Sequence, residues 1–291
     1  MRWEGERQSD NIEDRRDGGG GGGFGLGGRS IGIGTIVLAL LGSWVLGVSP
    51  VTLLNLLSGG GSPAVVQQQR PVHQPPAVDQ GATFVSTVLA STEDAWTRVF
   101  QEDNAQYQPP RLVLYRGVTP TACGTGQAAM GPFYCPGDRK VYLDMDFFDT
   151  LSHDLSAPGD FARAYVVAHE VGHHVQNLLG LTAKIEGLRG RVSQVQQNQL
   201  SVRLELQADC LAGVWANKSQ QAKHWLEQGD IESAMNAASH IGDDALQKRS
   251  QGYVVPDSFT HGTSAQRQHW FKAGMDAGRI QACDTFGARQ L

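Results

Sequence analysis

Charge is scarce in this sequence. Asp, Glu, Lys and Arg make up 18% of 291 residues, below the usual share for a soluble protein, and none falls between Arg29 and Arg70. The formal net charge is −5 and the pI near 6.0, which argues against the basic patch of a nucleic-acid binder. Cysteine is rare as well: four residues, Cys123, Cys135, Cys210 and Cys283, with no C-x2-C knuckle, so a cysteine zinc site fits poorly. Internal repeats are absent too.

The uncharged gap holds the longest apolar run. Ile31–Ser49 reads IGIGTIVLALLGSWVLGVS, and the apolar character continues through Val51–Leu57. Nineteen residues at helical rise span roughly 28 Å, close to the hydrocarbon thickness of a bilayer. A buried core helix so free of charge is uncommon. A cleaved signal peptide fits badly, because about 30 residues precede the run, they are acid-rich, and no Ala-x-Ala pattern follows. The reading is a single transmembrane anchor over 31–57, ended or kinked near Pro50. Arg2, Arg7, Arg15, Arg16 and Arg29 precede it and only Arg70 follows before Arg98, which places the N-terminus in the cytoplasm and the remainder outside. All four cysteines follow the run, so two disulfides are expected. The short loop from Cys123 to Cys135 makes that pair the easiest to close, with Cys210 and Cys283 left as the other.

Residues 1–30, with the run Gly18–Gly23, read as a disordered tail, and 58–80 as a Gly/Pro/Gln linker. The folded domain is expected over 81–291. Helical spacing marks one or two helices up to Glu102, and Arg111–Arg116 reads as a strand. Val141–Phe148 alternates like a half-buried strand, and the segments flanking Pro136-Gly137 read as a hairpin. From Asp160 the chain turns helical: a capped helix to Leu179, a long one over 184–217, three shorter ones, and a last one over Ser264–Ala277. Helix, small sheet, then helices is an α+β order.

The helix from Asp160 carries His169-Glu170-Val171-Gly172-His173. Residues four apart share a helical face, so both histidines can reach one Zn²⁺ ion, with Glu170 beside it to take a proton from water. Chance gives H-E-x-x-H about once in a hundred chains of this length. Three polar groups in so apolar a helix cost stability unless something pairs them. Glu205 and Asp209, also four apart, supply a third ligand and a carboxylate to orient a ligand histidine. Rival third ligands are His174, His224, His240 and His261; His174, adjacent to His173, points away from the metal face. His261, in a loop before the last helix, is a candidate donor to the oxyanion or a fourth zinc ligand in a resting form.

Together, His169–His173, Glu205–Asp209 and the stretch PDSFTHGTSAQR (256–267) resemble the bacterial neutral zinc metallopeptidase family, the YpfJ-like proteins. The opening RWEG, SDN and EDRR segments match that family too, so the resemblance spans nearly the whole chain. It implies a single-pass membrane protein with a gluzincin-like catalytic domain, His169, His173 and Glu205 as zinc ligands and Glu170 as catalytic base. The T-H-G-T-S segment is similar to a Thr-His-Pro segment of other membrane-linked zinc peptidases, with Gly262 in place of the proline. The fold expected is α+β: one transmembrane helix, then a mainly helical zincin-like domain with a small sheet. The activity expected is hydrolysis of peptide or protein substrates, with Val141–Phe148 as an edge strand to pair with them. Two rival readings are a zinc-bearing envelope binding or assembly factor, and a purely structural metal; the intact Glu170 speaks against the latter.

Overall fold

The computed structural model describes residues 1–16, 79–127, 131–148, 151, 159–240 and 242–291, all within one compact unit. Asp79 caps helix α1 (Gln80–Glu102), its carboxylate accepting from the Ala82 amide. Phe84, Val88, Trp96, Val99 and Phe100 turn one face of α1 into the core, as their spacing predicts.

The sheet has the order β1-β2-β6-β5. Strands β1 (Ile12–Asp14), β2 (Arg111–Tyr115) and β6 (Lys140–Asp144) run parallel, and β5 (Phe133–Cys135) lies antiparallel to β6. A second hairpin, β3 (Val118–Thr121) with β4 (Gly124–Gln127), is tied to β5 by the Cys123–Cys135 disulfide. The strand expected over Val141–Phe148 is thus shorter and interior, flanked on both sides, and the sheet edge beside the helices is β5 instead.

Helices follow. They are α2 (Asp160–Leu178), α3 (Leu181–Glu186), α4 (Gln194–Lys223), α5 (Asp230–His240), α6 (Asp243–Gln251) and α7 (Ser264–Ala277). Asp160 is the first residue of α2 rather than its cap; Gly159 caps, and the Asp160 carboxylate accepts from the Trp3 indole. The single helix expected over 184–217 is split. Gly187 ends α3, and Ser193 restarts the chain with a capping box to Gln196. The Cys210–Cys283 disulfide ties α4 to the short turn Ile280–Cys283. Gly213 of α4 and Gly274 of α7 face backbone so closely that neither could carry a Cβ, which brings the two helices into backbone contact.

The expected single-pass topology is corrected. Among the described residues no helix is long and apolar enough to cross a membrane, and the run 31–57 lies outside the described residues. The N-terminal residues 1–16, expected to be a disordered cytoplasmic tail, are part of the domain. Ile12, Glu13 and Asp14 pair with Leu112, Val113 and Leu114. Strands of one sheet lie on one side of any boundary, so the expected cytoplasmic N-terminus with an exported catalytic domain does not hold. Three of the arginines that suggested orientation are paired within the fold: Arg7 with Glu93 and Asp94, Arg15 with Glu13, Arg16 with Asp14 and Asp79.

Candidate metal centre

Helix α2 presents His169, Glu170, His173 and Gln176 toward α4, which presents Glu205 and Asp209. The helices meet at Gly172 and Ala208, each one residue before the second member of its helix's pair of site residues; a Cβ on Gly172 would lie 3.0 Å from the Ala208 carbonyl oxygen. Side-chain atoms of His169, His173 and Glu205 gather within 4.8 Å of one another. Glu205 Oε2 lies 3.2 Å from His169 Nε2, and Oε1 lies 3.5 Å from His173 Nε2. Neither His174 nor His261 joins this cluster.

Each histidine is oriented from behind. His169 Nδ1 donates to Asp209 Oδ1 at 2.8 Å, and His173 Nδ1 donates to Gln176 Oε1 at 2.9 Å. Both Nε2 atoms therefore turn to the shared centre, which is how a second layer of partners fixes a ligand tautomer. Gln176 is itself fixed, its amide donating to Leu204 O and Gln207 Oε1. Asp209 is fully buried and also accepts from Tyr165 Oη at 2.5 Å, Arg267 Nε at 2.9 Å and Arg267 Nη2 at 2.9 Å. This fork-to-fork pairing lets a charged carboxylate sit in the core. Burial pushes Asp209 up, but Arg267 and His169 hold it below the ordinary carboxylate value.

The donor set suits a divalent cation. Burial pushes the His169 imidazole down, yet Asp209 and Glu205 reverse this and raise it to about 10. Burial likewise pushes Glu205 up, and His173 and His169 pull it well below its ordinary range. Two imidazole nitrogens converging on a carboxylate, with so strong a pull toward positive charge, fit Zn²⁺. Glu170 is different: buried at 7% exposure, it makes no hydrogen bond or ion pair with another described residue. Burial raises its pKa, with His169 and His173 pulling part of the way back.

His261 lines the same cavity of about 520 Å³, with its side chain 50% exposed. Asp243, at the start of α6, holds its loop. One carboxylate oxygen accepts from the amides of Thr260, His261 and Gly262 at 2.7, 2.6 and 3.0 Å, and the other lies 3.1 Å from His261 Nδ1. Asp243 keeps the imidazole above its ordinary pKa, against burial. Nε2 makes no hydrogen bond with another described residue. His174 is a packing residue: Nε2 donates to Gln108 O at 2.6 Å and Nδ1 accepts from Tyr134 Oη at 3.0 Å, with burial lowering its pKa to about 4. The sequence reading missed Gln176, Asp243 and the pairing of Arg267. Gln176 had a signal, three residues after His173 on one helical face; the others meet the site only through tertiary structure.

A small sheet beside an H-E-x-x-H helix, crossed by a second helix bearing the glutamate, gathers two histidines and a carboxylate that could hold one metal ion. The whole of residues 1–286 matches the family described as "Putative neutral zinc metallopeptidase", and the chain belongs to that family. It is 52% identical over 289 residues to uncharacterized protein YpfJ of Escherichia coli strain K12, covering 99% of both chains. It is 40% identical over 219 residues to uncharacterized protein Rv2575 of Mycobacterium tuberculosis strain H37Rv, covering 72% of this chain and 73% of that one. No solved structure matches.

Proposed function

We propose that this protein is a zinc-dependent peptidase, with His169, His173 and Glu205 as metal ligands, Glu170 as general base and His261 as donor to the oxyanion. The carrying observation is Glu170: a buried carboxylate with no hydrogen bond or ion pair to another described residue, beside a cation-seeking cluster and open to a cavity. A structural metal site has no use for such a group. Zinc, when bound, supplies Lewis acidity toward a water and the scissile carbonyl.

The chain's own residues do the rest. Glu170 takes a proton from water and returns it to the leaving amine. His261 offers the Nε2 that Asp243 leaves available, positioned to donate to the carbonyl oxygen as negative charge develops there. Asp209, Arg267 and Gln176 keep both ligand imidazoles from rotating. Incubating the zinc-loaded chain and its Glu170→Gln variant with an unfolded protein tests the reading. Cleavage by the first and a loss of at least about a hundredfold in the second are expected; equal cleavage by both contradicts it.

A further inference from the structure

The cavity speaks to the substrate as well as to the chemistry. Its walls beyond the metal cluster are largely apolar: Pro132, Phe133, Phe147, Val166, Leu204 and Leu246. Its volume, about 520 Å³, accommodates several residues of a peptide rather than a single side chain.

Among the described lining residues the charges are all matched. Among the described residues lining the cavity, the ionisable ones of ordinary charge are His169, Glu170, His173, Glu205, His261 and Arg267. Arg267, the one permanent cation, is held in a fork by Asp209 and bonded to Tyr165. His261 has its charge matched by Asp243. Glu205 is drawn to the two histidines, and Glu170 is committed to proton transfer. An enzyme that trims chain ends must hold a terminal carboxylate on a cation, or a terminal ammonium on a carboxylate. No described lining residue is left over for either.

The sheet offers an alternative means of holding substrate. β5 pairs with β6 on one side only, and Phe133 and Tyr134 line the cavity. The strand is rigidly set: Tyr134 Oη is bonded to His174 and Asn177 of α2, and Cys135 is disulfide-linked. A fixed strand beside a site, with no second strand partner among the described residues, can bind an extended chain through backbone hydrogen bonds, which read no terminus.

Resting on the peptidase reading above, we infer that the site cleaves internal bonds of extended polypeptide segments next to a bulky apolar side chain, and does not trim chain ends. Zinc-loaded full-length protein is given decapeptides with a central Phe, Leu, Gly or Asp, each with free ends or with acetyl and amide caps. Products are identified by mass spectrometry, and binding of the capped peptides to the Glu170→Gln protein is measured by calorimetry. Capped Phe and Leu peptides are expected to be cut internally, at least about tenfold more efficiently than the Gly and Asp ones, and to bind in the same order. Leu246→Lys, at a position 37% exposed and so tolerant of change, is expected to raise KM for Phe peptides and lower it for Asp peptides. Removal of single residues from free-ended peptides alone overturns this inference and leaves the peptidase reading standing. Equal binding and cleavage of Phe and Asp peptides overturns its apolar part. Cleavage of no peptide by protein that holds its zinc overturns the peptidase reading and this inference with it.

Discussion

Gly172 and Ala208 touch where α2 crosses α4, and that contact sets the spacing of the candidate metal centre. Gly172 lies between His169 and His173, and Ala208 lies between Glu205 and Asp209. A Cβ added at Gly172 would meet the Ala208 carbonyl oxygen at 3.0 Å and its Cα at 3.2 Å, with both backbones fixed by their helices. Gly172→Ala is therefore expected to push the helices apart at a cost of about 1–3 kcal/mol. The same shift spreads the three ligands, so zinc affinity should fall at least about tenfold. Thermal unfolding and zinc titration against a competing chelator measure both; unchanged values in both count against this geometry.

Arg267 neutralises Asp209 inside the core, gripping its carboxylate through Nε and Nη2. Replacing Arg267 with Met leaves a buried carboxylate with only His169 and Tyr165 as donors. Breaking one side of a buried pair costs about 3–5 kcal/mol. Arg267→Lys should recover only part of that, because a single ammonium does not reproduce the two-pronged contact. Chemical denaturation of the two variants gives the comparison, and equal stability of Lys and wild type would remove the fork from the account.

The docking of β1 should depend on acid. Burial pushes Glu13, Asp14 and Asp79 up, but their partners win: Lys140 and Arg15 for Glu13, Arg16 for Asp14, and the Ala82 amide with Arg16 for Asp79. All three folded pKa values lie below the ordinary carboxylate value. Their contribution is therefore complete above the unfolded value, about 4, and is lost as pH falls through the folded ones. Asp14→Asn should destabilise the protein near neutral pH, and the difference from wild type should shrink below about pH 4. Urea melts of both proteins across that range decide it; a constant difference contradicts the ion-pair origin.

Asp243 holds three backbone amides and the His261 ring on one carboxylate. Asp243→Ala frees all four donors, so amide exchange at Thr260, His261 and Gly262 should accelerate at least about tenfold. Zinc affinity should stay unchanged, because His261 lies outside the three-residue cluster. Exchange that is unaltered at those amides removes Asp243 as the anchor of the loop.

Some of this was legible from the sequence and some was not. The four-residue spacings of His169 with His173 and of Glu205 with Asp209 record helical geometry directly, so the pairs could be read without a fold. The two disulfides followed from counting and loop length. Ser193 and Gln196 carried a capping signal that divides α3 from α4, and the single helix expected over 184–217 ran through it. β1 was hidden, because Ile12-Glu13-Asp14 is three residues long with two charges, and only its partners Leu112–Leu114 make it a strand. Arg267 and Asp243 depend on the crossing of α4 with α7 and on the return of the chain past α6. No local pattern encodes either meeting.

The central claim is that three side chains hold one zinc ion while Glu170 stands beside it as base, not as ligand. Zinc content per chain, measured by elemental mass spectrometry on wild type and on the His169→Ala, His173→Ala, Glu205→Ala and Glu170→Gln variants, tests it most directly. The account predicts about one zinc in wild type and in Glu170→Gln, and a strong loss in the other three. Zinc retained without Glu205, or lost on changing Glu170, would contradict it.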